Sequence, residues 1–246
     1  MRPCRWKKAV PVLLALADLL PCVALLLPLV AADPAQLRAA MAGDAPGFWQ
    51  AFRNTALVAA GNLAVQWVVA VPAGLALSKL LPRRVARRIL WLCVLLMLLP
   101  QQALILPQYL LLDRLHLLNR LGGLVLMSAF QPFLVLFYWF GTEQIETSLL
   151  EAAVCEGATT AQCFFRIYLP LLAPFLLAGG LLSAAESWNM LEQPMTFLQA
   201  GSQDLLSTYF LHQPQTAPAL TALQALLSAF PLLLVFAVAA ARWKQE

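Results

Sequence analysis

The side chains able to do chemistry in this chain are few, and most stand inside apolar sequence, where an ionisable group is costly enough to be a candidate site by default. Glu186 has Ser183 three residues before it and Trp188-Asn189 just after it. That combination suits a hydroxylated solute, because an indole stacks on apolar sugar faces while carboxylate and amide groups bond hydroxyls. The same residues allow a second reading, with Glu186 bonded to another helix and Trp188 in an interfacial aromatic belt. Asn62 and Gln66 are four apart, hence on one helix face, and suit either a translocation path or a hydrogen bond between helices. Asp18, near Pro21, fits a kink filled by water. No catalytic residue and no metal ligand is assigned: His116 and His212 are far apart and lack cysteine or carboxylate partners at metal-ligand spacing. A Gly-x-x-x-x-Gly-Lys-Ser/Thr phosphate loop is missing, so any ATP-driven process takes its motor from another polypeptide.

The elements that must position these groups are membrane helices. With 61% apolar and 11% charged residues and a mean hydropathy of +0.76, the 246-residue chain reads as an all-α integral membrane protein with a single polytopic domain over 1–246. Six apolar segments, at about 9–31, 55–78, 89–110, 121–140, 171–191 and 219–241, are each long enough to span. With Met1 in the cytoplasm, twelve Lys and Arg residues fall inside and only Arg38, Arg53, Arg114 and Arg120 fall outside. That bias predicts cytoplasmic N- and C-termini and explains the net charge of +4 as topology, with no call for nucleic acid. The first segment, about 21 residues of apolar run, is too long for a secretory signal and reads as a span. The five cysteines form no disulfide or zinc pattern and read as small apolar residues. Asp33 to Trp49 reads as a short external connection, helical over part of Pro34–Met41. The stretch from about Gln193 to Pro218 reads as a long external loop, either functional or a solvated connector.

One polar island, Glu151 to Pro174, interrupts the apolar pattern on the cytoplasmic side, with coupling helices expected over about 148–168. Ser148-x-x-Glu151 fits a capping box at the start of a short helix, and Gly157 suits its C-terminal stop because glycine tolerates positive φ. Thr159-x-x-Gln162 is a second capping box, opening a helix through Phe164, Phe165 and Ile167. Ala152, Ala153, Gly157 and Ala158 leave a surface that another protein can approach closely, flanked by Glu151 and Glu156. A helix pair lying on lipid predicts lysines and arginines instead, and the island has Arg166 alone.

Glu151-Ala152-Ala153, Gly157-Ala158, Phe164, Ile167, Leu169-Pro170 and Pro174 together resemble the EAA loop of bacterial ABC importer permeases. Glu156 stands where that pattern usually has Asp, and Glu146 where proline is common. Arg53-Asn54-Thr55, Pro100, Pro107, Leu118-Asn119, Gly123-Leu124, Pro132-Phe133 and Trp188-Asn189 are similar to the maltose-type carbohydrate permeases, in particular to their shorter six-span subunit. The resemblance implies a type I ABC importer permease fold in a bacterial inner membrane. It implies that Glu151, Ala152, Ala153, Glu156, Gly157, Ala158 and Phe164 couple to a dimer of ATP-binding subunits. It implies a second, non-identical permease and an extracytoplasmic solute-binding protein as partners, besides membrane lipid. No cofactor is expected on this chain; ATP and Mg belong to the ATPase. Asn62, Gln66, Glu186, Trp188 and Asn189 are the candidate substrate pathway. The stretch Asn189–Pro194 departs from the aromatic-rich continuation of those permeases, which leaves a polyamine or a glycerol phosphate ester as alternative cargo. An ion-coupled secondary transporter is the more distant rival, and the chain lacks the paired broken halves it needs.

Overall fold

The structure, a computed structural model, describes residues 33–199, 203–212 and 218–243, and every regular element among them is helical. The expected first span and Asp18 lie outside the described residues. The organising element is α1, Pro34–Leu75, continued by a π-helical turn at Ala76–Leu80. Asp33 caps its start by accepting from the Ala35 N–H at 2.9 Å, and Pro34 occupies the first turn, where its missing N–H costs nothing. The connection expected over 33–49, helical over part of Pro34–Met41, is therefore helical from Pro34 onward without a break. Ala-rich sequence favours it, and Phe48 and Ala51, fully buried against Leu206, fix the start of the apolar part by packing.

Two further spans are broken where the sequence suggested continuous helices, and a third bend falls at the expected junction between the second island helix and the fifth span. The third span divides into α2, Arg83–Met97, and α3, Gln101–Arg114, bent by 99°. The fourth divides into α4, Leu121–Met127, and α5, Pro132–Glu143, bent by 52°. Proline causes both breaks, because Pro100 and Pro132 supply no N–H to the preceding turn and push the residue before them out of helical geometry. Gln131 accordingly sits at φ −117°, ψ 106°. After the island's first helix, α6, Thr147–Cys155, the chain forms α7, Thr160–Leu171, and α8, Ala173–Trp188, which meet at 72° beside Pro170 and Pro174. Among the described residues Gly47–Leu80 alone is long and apolar enough to cross a membrane in one piece, and counting each bent pair as one span brings the number to four. The stretch expected as a long external loop contains two short helices, α9, Glu192–Phe197, and α10, Leu206–His212. Helix α11, Pro218–Trp243, closes the described chain.

Helix α1 packs along its length on α5 and α8, and near its start on α4 and α10. At one end Ala70, Val71 and Leu77 share a core with Tyr138, Tyr168 and Leu172. Toward the other, Val58 joins Leu112, Leu124, Phe197 and Leu205. Gly74 lets α1 and α5 touch: a Cβ there would stand 2.9 Å from the backbone of Tyr138 and Trp139. Residues 203–212 bury Leu205, Leu206 and Thr208, and the Leu206 N–H donates to the Thr55 hydroxyl at 2.8 Å. They pack against the middle of α1.

Candidate functional site

Two regions gather the candidate residues. The first is the island. Helix α6 begins two residues earlier than its sequence suggests: Glu146 is the N-cap, and the Ser148 hydroxyl donates to the Glu146 carboxylate at 3.2 Å, so the expected Ser148–Glu151 capping box does not form. Glu146 has φ −64°, the angle proline would impose, so the residue fits a proline position without strain. The stop is a complete Schellman motif. Gly157 adopts φ +87°, its N–H donates to the Val154 carbonyl at 3.0 Å, and the Ala158 N–H donates to the Ala153 carbonyl at 3.0 Å. Two residues later the second capping box is present in both directions: Gln162 N–H donates to the Thr159 hydroxyl, and Thr159 N–H donates to the Gln162 side-chain carbonyl at 2.8 Å.

This shape leaves the island's surface open. No residue of α6 is buried, and Val154 and Phe165 are 60% and 64% exposed. Glu151, Ala152, Glu156 and Gly157 are exposed, while Ala153 and Ala158 are half-buried beside a groove of about 460 Å³ that Gln162, Arg166 and Ile167 complete. Phe164 turns inward, its ring 5.5 Å from that of Tyr168. The island is also tied to the long helix. Lys79 donates from Nζ to the Ile145 carbonyl at 2.8 Å and to the Thr147 hydroxyl at 3.3 Å. Ser78 donates to Glu143 at 2.6 Å, and Tyr168 lies 2.8 Å from the Thr142 hydroxyl and donates to the Val71 carbonyl at 3.4 Å. Sequence reasoning counted Lys79 only as a topological charge and passed over Tyr168 and Thr142, since nothing local shows which distant carbonyl a side chain will reach.

The second region is a cavity of about 980 Å³. Its wall is made where helices break: Leu96, Met97, Leu99 and Gln101 come from the α2–α3 bend, Met127 to Phe133 from the α4–α5 bend, and Asn189 to Gln193 from the end of α8. Interrupted backbone at membrane depth is tolerated where it faces a wet cavity, because its free N–H and C=O groups need water. Gln66, Glu186 and Asn189 line this cavity, so three of the five pathway candidates come together. Gln66, 3% exposed, donates to the Ser128 carbonyl at 3.0 Å and accepts from the Ser183 hydroxyl. Glu186 accepts from the Gln131 amide, and Glu192 accepts from Gln102 at 3.0 and 3.3 Å.

Asn62 and Trp188 stand elsewhere. Asn62 is fully buried and donates to the Ser187 hydroxyl at 2.9 Å, so it joins α1 to α8. Trp188 donates to the Ser228 carbonyl at 3.1 Å and packs edge-on against Phe52 at 5.6 Å, which places it between α1 and α11 and outside the cavity wall. Gln101, Gln108, Gln131, Glu192 and Gln193 are among the polar wall residues that the sequence did not single out. The pair Gln131-Pro132, polar residue and helix breaker together inside an apolar segment, was the available signal.

Comparison with known proteins adds three findings. Residues 70–242 match the family described as binding-protein-dependent transport system inner membrane component. A probable ABC transporter permease protein of Pyrococcus horikoshii is 37% identical over 108 residues, which are 43% of this chain and 39% of that protein. An arabinooligosaccharides transport system permease protein of Halalkalibacterium halodurans is 30% identical over 109 residues, 44% of this chain and 39% of that protein. The matched part thus spans about two-fifths of these curated relatives. A chain from the crystal structure of a bacterial ABC transporter involved in the import of the acidic polysaccharide alginate superposes with a TM-score of 0.83 over 98% of both chains, at 22% identity. That likeness establishes the all-helical type I ABC importer permease fold.

Proposed function

We propose a transport role from the premise that the chain belongs to the family of binding-protein-dependent transport system inner membrane components. It is the permease subunit of an ATP-driven importer, a membrane component and not an enzyme, and its cargo is a carbohydrate or polyol delivered by an extracytoplasmic binding protein. The arabinooligosaccharides permease among its relatives and the alginate importer among its structural neighbours support the class of cargo. ATP and Mg are held by a separate pair of ATPase subunits, and a second, non-identical permease completes the pore. Six spans with both termini in the cytoplasm of a bacterial inner membrane agree with the distribution of basic residues, twelve inside against four outside.

The observation that carries this reading is the island: a helix, a glycine stop and a second helix, shaped by their own backbone caps and left exposed. In the cycle, ATP-driven closure of the partner subunits moves α6. Lys79, Ser78 and Tyr168 pass that displacement to α1 and α5, and the broken spans around the cavity exchange outward for inward access. The test is uptake into vesicles carrying the whole complex with Gly157→Pro. Proline holds φ near −65°, and the native angle is +87°. The expected result is loss of ATP-dependent uptake with solute still held by the binding protein; unchanged uptake overturns the coupling role.

A further inference from the structure

The wall of the 980 Å³ cavity has an unequal chemistry. It presents two carboxyl side chains, Glu186 and Glu192, and no lysine, arginine or histidine. Each carboxyl group is met by a neutral amide, Gln131 for one and Gln102 for the other, so no base compensates either of them. The amides lean the same way. Gln193, only 9% exposed and part of the wall, has a side-chain oxygen without a hydrogen-bond partner, and the Gln131 side-chain oxygen also lacks one. A buried acceptor without a donor is costly. The wall is therefore acidic, without a cationic side chain, and holds in Gln193 an acceptor still open to a donor.

We infer that this cavity selects a donor-rich solute without negative charge, a neutral or amine-bearing saccharide, and rejects an anionic one such as a uronate oligomer or a phosphate ester. Hydroxyls and ammonium groups supply donors to the carboxylates and to Gln193. A carboxylate or phosphate brings only more acceptors and is repelled by both acidic side chains, with no wall cation to offset them. The inference rests on the importer reading for its biological meaning, and Glu186 and Glu192 are its specificity-determining residues.

The test uses the complete complex in nanodiscs, without ATP and without the binding protein, so that selectivity upstream of the permease does not enter. Equilibrium binding is measured for three probes of equal length: a neutral glucose trimer, a glucosamine trimer and a galacturonate trimer. The neutral and amino trimers are expected to bind at least about tenfold more tightly than the uronate, ~1.4 kcal/mol. The double variant Glu186→Gln with Glu192→Gln is expected to bring the neutral and uronate trimers within about twofold of each other. Uronate binding equal to or tighter than the neutral trimer overturns the inference, as does binding of none of the three. An unchanged ratio in a double variant whose melting temperature matches the parent overturns the assignment to these two residues. Failure of the importer reading has a different signature, loss of ATP-driven uptake in a complex that still discriminates among the probes.

Discussion

The island and the cavity are both polar, yet they are held by opposite means. The island is built from contacts within a dozen residues: the Schellman bonds at Gly157 and the reciprocal Thr159–Gln162 pair shape it without help from the spans. The cavity is built from bonds across the chain, Gln66 to Ser128 and Ser183, Gln131 to Glu186, Gln102 to Glu192, each joining separate helices. Under the proposed cycle the island docks another protein and has to keep its form while unpartnered, which local order provides. The cavity in that cycle opens and closes, which needs parts that can separate, as bonds between helices allow.

Substitutions at four positions test that contrast. The largest effect belongs to Gly74→Leu, because the added side chain meets α5 backbone that cannot turn aside. It should destabilise the helix packing by more than ~3 kcal/mol, read as a lower melting temperature of the solubilised complex. A melting temperature at parental level would show that the spans are less dependent on this contact than the island is on its caps. Next comes Lys79→Met, which removes the tie between α1 and the island, charge-assisted bonds worth about 1.5–3 kcal/mol. ATP hydrolysis by the assembled complex should persist while solute uptake falls, and Lys79→Arg should recover part of it. Uptake and hydrolysis falling in parallel would make Lys79 merely structural. Thr159→Ala should cost ~1 kcal/mol in local stability, seen as faster amide exchange at Gln162. Ser148→Ala should be the mildest, within ~0.5 kcal/mol, because its hydroxyl caps no backbone N–H. If Ser148→Ala costs as much as Thr159→Ala only when ATPase is bound, docking completes the first cap.

The same contrast decides what was legible in the sequence. Gly157, Thr159 and Gln162 were readable because a cap is written in four or five consecutive residues. The Ser148 box was misread by a rule of equal standing: Glu146 took the cap position with a proline-like φ, and the helix started two residues ahead of where Ser148 would have begun it. The apolar segments were visible as segments, but the bends inside the third and fourth were not, although Pro100 and Pro132 were in plain view. Proline signals a lost N–H and a displaced neighbour, and whether the helix then kinks, resumes or turns through 99° depends on the helices packed around it. For the same reason Glu186 was identified as a candidate while its amide partner Gln131 was not.

The 42 residues of α1 form one uninterrupted rod of about 63 Å, twice the thickness of a hydrocarbon core. A rod is a lever. It is gripped beyond its last turn by the island, through Lys79, and about a third to halfway along by residues 203–212, through Phe48 and Thr55, with the cavity wall at Gln66 between the two grips. A tilt of only about 5° about its midpoint carries each end through about 3 Å in opposite directions, with no hydrogen bond inside the rod broken. In the proposed cycle a displacement of the island through Lys79 thus reaches the other end of α1 reversed in sense, without any relay of side-chain rearrangements along the way.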